Sequence, residues 1–183
     1  YYAILESAYR AQLGLSINKH KEKVGKLYSE FSKIAALNPD GWISEAFNWN
    51  DIAEVSEKNP SQAVPYNKYH CTSWNVNQAS AMIICSEEVA DKLMIPLTKR
   101  VYPLAASETN HMIAVIQRPN IIKPLGLELA AKFILNLCNK HNIKPNLYEL
   151  YSCFPIAVQM FSDVLGLEDK EVKTVTGLSL IHI

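Results

Sequence analysis

Apolar residues recur at three- and four-residue steps in several separate stretches of the chain, and each such stretch predicts a helix. Tyr1 to Leu13 is apolar on one face and is stopped by Gly14. Ser16 and Asn18 are candidate caps for a second helix reaching about Leu37, in which Val24, Leu27, Tyr28, Phe31, Ile34 and Ala35 share a face. Lys19, Lys21, Glu22, Lys23 and Lys26 fill the other face and read as solvated surface. His20, among those lysines, is expected to face solvent, as is His141. Asn38-Pro39-Asp40-Gly41 is a stop and turn. Trp42 to Pro65 is irregular, with a short helical turn from Asn50 to Val55, and Trp42, Phe47 and Trp49 are expected to anchor it to the body.

Further on the pattern alternates. Ala79 to Cys85 is a dense run of small and β-branched residues that predicts a buried strand, and Ser86 caps a helix through Leu93 with Glu87 and Glu88 in its first turn. Val101 to Ala106 reads as another strand, leading into Ser107-Glu108-Thr109-Asn110-His111, where His111 reads as a surface-loop histidine. Leu127, Leu129, Ala130, Phe133, Ile134 and Leu137 define a helix from Pro124 to Lys140. Leu147 to Tyr151 alternates like a strand and runs through small polar residues into Pro155, which suits the first turn of a helix carrying Ala157, Val158, Phe161, Val164 and Leu165. Strands alternating with helices argue for α/β layers over a bundle or a sandwich.

Composition narrows this picture more than it adds to it. The 183 residues are 49% hydrophobic and 20% charged, a globular balance. Lys plus Arg equals Asp plus Glu at 18 each, so no global field favours nucleic acid or an anionic membrane. The longest apolar runs are too short for a transmembrane segment, and no secretory signal opens the chain. Four cysteines without ligand spacing then read as reduced thiols of a cytoplasmic protein, with no metal site. No phosphate-cradling glycine loop occurs. The chain opens in mid-pattern without a methionine and reads as a fragment.

The chemistry concentrates at Glu149 to Gln159, E-L-Y-S-C-F-P-I-A-V-Q, where Ser152 and Cys153 lie at a strand-to-helix turn. A helix N-terminus offers N–H groups to developing negative charge, so Cys153 is a candidate reactive thiol; the other reading makes it a small core residue. Cys85, ending an apolar strand, and Cys138, on a core helix, are expected to be shielded. Cys71, in a loop, is the competitor.

Tyr151-Ser152-Cys153-Phe154-Pro155-x-Ala157-Val158-Gln159, with Thr174-Val175-Thr176-Gly177 downstream, resembles the thiolase superfamily. The nearest likeness is to the thiolase-like branch labelled acetyl-CoA acetyltransferase, related to the sterol-carrier-protein-type thiolases, which carry H-D-C-F at this place. Phe31 to Pro39, Val64-Pro65-Tyr66, Asn77-Gln78-Ala79-Ser80-Ala81 and Pro124 to Ala130 resemble further segments in the same order, and nearly the whole chain is covered. Tyr151 and Ser152 stand where that motif has His and Asp. None of the four cysteines lies in the context of the family's nucleophile. The chain ends in Leu178 to Ile183 where G-H-P would follow, so His182 is given no catalytic role.

The resemblance implies a thiolase-like layered α/β fold, partial in extent. Residues 1–115 would close the N-terminal half, 116–177 would open the C-terminal half, and 178–183 would be a non-native tail. It implies an acyl-CoA-processing acyltransferase, inactive as this stretch alone, acting on a coenzyme A thioester with no permanently bound cofactor. Cys153 would be the second cysteine acting as acid or base; Tyr151 and Ser152 would donate hydrogen bonds. A homodimer or larger oligomer and a lipid-carrier partner follow from the same likeness. The alternative is a catalytically degenerate acyl-CoA-binding or structural subunit.

Overall fold

The computed structural model of the chain describes residues 1–41, 43–73, 79 and 81–168. Trp42, Asn75 to Gln78, Ser80, Thr174 to Gly177 and the tail 178–183 therefore lie outside the described residues. Helix α1 spans Tyr2–Gln12 and ends where Gly14 takes φ +65°, a left-handed turn that lets Gly14 N–H donate to Ala11 O and Leu15 N–H to Arg10 O. Helix α2, Ile17–Ala36, starts at Ser16, whose hydroxyl accepts from Lys19 N–H at 3.4 Å. It packs against α3, Trp49–Ala53. The close approach needs Gly25, because a Cβ there would stand 2.7 Å from Trp49 O.

Buried serines stitch the loop before α3 onto α2: Ser29 Oγ donates to Phe47 O at 2.7 Å, and Ser32 Oγ accepts from Phe47 N–H at 2.9 Å. Asn59 is wholly buried and closes α3, donating to the carbonyls of Asp51, Ile52 and Glu54 and accepting from Tyr69 N–H. Strands β1, Ser61–Ala63, and β2, Tyr66–Asn67, form a two-stranded antiparallel sheet. Helices α4, Glu87–Lys92, and α5, Leu125–Lys140, follow, and then α6, Pro155–Leu165, closed by Gly166 at φ +68°.

Helix α6 joins two cores. Val158 packs with Tyr28, Phe31, Ile52 and Leu150, whereas Ile156 packs with Leu5, Tyr9 and Ile122. Its N-terminal turn is thus held from two sides, as a helix apolar over most of its circumference requires.

The helices stand where the sequence places them; three expected strands do not. Ala79 and 81–85, Val101 to Ala106 and Leu147 to Tyr151 join no ladder among the described residues. Ile83 and Ile84 are 87% and 88% exposed. Apolarity signals a tendency to be buried, but a strand exists only when a neighbour supplies backbone partners, and no described segment pairs with these. The one sheet among the described residues lies instead at the end of the stretch read as irregular and just past it, where a tight two-residue connection lets β1 and β2 meet. Cys85 is consequently exposed and Cys138 half-buried, not shielded.

His20 is the other correction. It is 2% exposed, although its neighbours in sequence are lysines. It lies four residues before Val24 on the inward stripe of α2, and a polar partner on α1 meets it there.

Candidate functional site

Three aromatic side chains and a thiol meet at the start of α6. Phe154 is extended (φ −145°, ψ 147°) and delivers the chain into Pro155, the first helical residue. Its ring stacks on Tyr2 at 4.3 Å between centroids and lies 5.5 Å from Tyr66. On the preceding side, Tyr28 Oη donates to Ser152 O at 2.8 Å. The backbone on both sides of Cys153 is thereby fixed.

Cys153 is 3% exposed. Burial pushes its thiol above the ordinary range, while hydrogen bonds from the Tyr151 and Tyr2 hydroxyls and the N–H groups of Cys153 and Phe154 pull the other way without prevailing. Tyr151 is half in solvent and its phenol is also raised, chiefly by its bond to the sulfur and then by burial. Tyr2 is raised by burial and by Cys153. Ser152 is buried beside them. The candidate residues Tyr151, Ser152 and Cys153 are brought together, but the thiol is a proton-bearing group at neutral pH, not a ready thiolate. Such a group can give a proton. Cys71 is also pushed up, to about 11, by burial.

Behind this turn lies a polar network that the sequence reading did not find. The carboxylate of Glu6 is fully buried; Oε1 meets His20 Nε2 at 2.6 Å and accepts from Gln159 Nε2 at 2.7 Å, and Oε2 accepts from Tyr66 Oη at 2.6 Å. Elements α1, α2, β2 and α6 are joined through one side chain. His70, 1% exposed, accepts from Asn67 N–H at Nδ1, 3.0 Å. Burial lowers its ring to about 4, so it is neutral at neutral pH. The signal was legible as phase: Glu6 follows Tyr2 by four residues and precedes Tyr9 by three, His20 precedes Val24 by four, and Gln159 follows Pro155 by four, each on an inward stripe.

His111 is exposed, as expected, and lines a cavity of about 680 Å³ with Thr109, Arg118, Lys123 and Leu127 at the start of α5. Among the described residues there is no group of three or more His, Cys, Asp or Glu that could hold a metal, and no helix long and apolar enough to cross a membrane.

The fold that carries this cysteine turn into a buried helix is an SCP2-thiolase-like α/β fold. The chain is similar along its whole length to a solved structure, a monomeric SCP2-thiolase-like protein type 1 from Mycobacterium smegmatis, at 28% identity and a TM-score of 0.84. That match covers 100% of this chain and 40% of the neighbour, so the chain spans less than half of that protein's length. The relation to thiolase-like proteins read from the Cys153 motif is shown by it. No protein-family model and no curated protein matches the chain.

Proposed function

We propose that the chain is the Cys153-bearing part of a thiolase-like acyl-CoA-processing acyltransferase, with Cys153 as its acid and base. What supports the reading is the placement of Cys153 at the entry to α6, beside Ser152 and the stacked rings of Tyr2 and Phe154, with a thiol that burial holds above its ordinary range. In the cleavage direction the thiol protonates the departing α-carbon of a coenzyme A thioester and is left as a thiolate. In the condensation direction that thiolate takes the proton back. The attacking nucleophile comes from outside this set, and the coenzyme A thioester is substrate, not resident cofactor.

In the full-length protein, Cys153→Ala should leave the circular dichroism spectrum intact and lower turnover of acyl-CoA by about 100-fold or more, the scale of a lost general acid–base. Acyl-CoA should also protect Cys153 from iodoacetamide. Unchanged turnover would reduce Cys153 to core packing. The depth of burial of Cys153 favours a second reading, an acyl-CoA-binding subunit without turnover. Protection by ligand without any turnover would select it.

A further inference from the structure

Three buried side-chain atoms around Glu6 have no hydrogen-bond partner among the described residues: His20 Nδ1, His70 Nε2 and Gln159 Oε1. Each residue is at least nine-tenths buried. All three belong to one neighbourhood. His20 and Gln159 meet the same oxygen of Glu6, and the ring of His70 lies 6.0 Å from that of Tyr66, whose hydroxyl donates to the other oxygen.

Their chemistry can be assigned from the bonds they do make. His70 Nδ1 accepts from Asn67 N–H, so in the neutral ring the proton is on Nε2, and Nε2 is a donor. His20 faces a carboxylate through Nε2, so in the neutral ring the proton is there and Nδ1 is an acceptor. Gln159 turns its amide N–H to the carboxylate; the flipped amide would set oxygen against oxygen, so Oε1 is an acceptor too. One donor and two acceptors are left over. A water molecule offers one the complement, accepting from His70 and donating to His20 and Gln159, and buried waters with about three such bonds are a regular part of protein interiors.

We propose that His20, His70 and Gln159 form a binding site for a single buried water, which ties the turn after β2 to α2 and α6 behind Cys153. An unbonded imidazole or amide atom in the interior is costly, so the site does not stay unfilled. The water completes the polar network around Glu6 and fixes the tautomer of His70.

A high-resolution crystal structure of the full-length protein should contain one water within hydrogen-bond distance of His20 Nδ1, His70 Nε2 and Gln159 Oε1. A dry site, an ion in its place, or these atoms bonded to protein groups would overturn the proposal. In solution, long-range nitrogen–proton spectra at neutral pH should show the His70 ring protonated at Nε2 alone, with a water cross-peak to that proton. A proton on Nδ1 of His70 would sink it. Gln159→Met keeps the volume but removes an acceptor, and should abolish the cross-peak; its persistence would place the water elsewhere. These readouts do not involve catalysis, so they stand or fall separately from the acyltransferase reading.

Discussion

Removing the Glu6 carboxylate strands His20, Tyr66 and Gln159 at once, all of them buried. Glu6→Leu should therefore destabilise the chain by about 3–5 kcal/mol, the range for breaking a buried charged network from one side. Glu6→Gln, which keeps one acceptor, should cost less; denaturant midpoints measure both. His70 gives a pH signature. Its ring is depressed from 6.5 to about 4 by burial, so between those values the unfolded chain binds the extra proton. Its contribution is complete above pH 6.5 and is lost as pH falls through 4, a difference of roughly 3 kcal/mol. Urea midpoints should fall across that window, and less steeply in His70→Gln. Among the thiols, exposure and ionisation both argue against fast reaction at Cys153. In this chain iodoacetamide should label Cys85 first at neutral pH and Cys153 slowest; mass-resolved labelling decides, and early modification of Cys153 would show that its turn opens.

At the scale of elements, the contact between α2 and α3 rests on the missing side chain of Gly25. Alanine in a helix interior gains about 1 kcal/mol over glycine. Here its Cβ would meet Trp49 O at 2.7 Å and Ala53 Cβ at 3.1 Å, both on α3, and backbone yields less readily than a side-chain tip. Gly25→Ala should therefore be net destabilising, by about 1–3 kcal/mol. Thermal melts measure it, and a stabilised variant would mean that α3 moves freely on α2. The α2 cap is a weaker device: at 3.4 Å on the surface, the Ser16 hydroxyl should be worth only about 0.5 kcal/mol when replaced by alanine.

Across the whole molecule, buried polar joints gather around α1, α2, α3 and α6, while apolar side chains from Met82 to Ile116 project outward. Ile83, Ile84, Val101, Met112 and Ile116 are all far above half exposed. Exposed apolar side chains favour association when they lie together on a surface. The 183-residue chain should bind hydrophobic dye and self-associate at rising concentration, and Ile83→Lys with Ile84→Lys should reduce both. Dye fluorescence and sedimentation give the answer; a monodisperse chain without dye binding would show these residues covered.

Local rules by themselves determined the helices. Ser16, Gly14, Ser86, Pro155 and Gly166 mark ends that depend on one or two neighbouring residues, and apolar spacing names the buried face without knowledge of what covers it. The cysteine turn was legible for the same reason, since Phe154 and Pro155 set its entry into α6. Tertiary structure alone decided the strands, because Ala81 to Cys85 has the composition of a strand but a ladder needs a second segment beside it. It decided His20 and Glu6 as well. Charge in the sequence suggests solvent, and only the meeting of α1, α2, β2 and α6 supplies the partners that make burial of a carboxylate and an imidazole tolerable. It also set the state of Cys153, where the helix end and two phenols favour the thiolate and burial outweighs them.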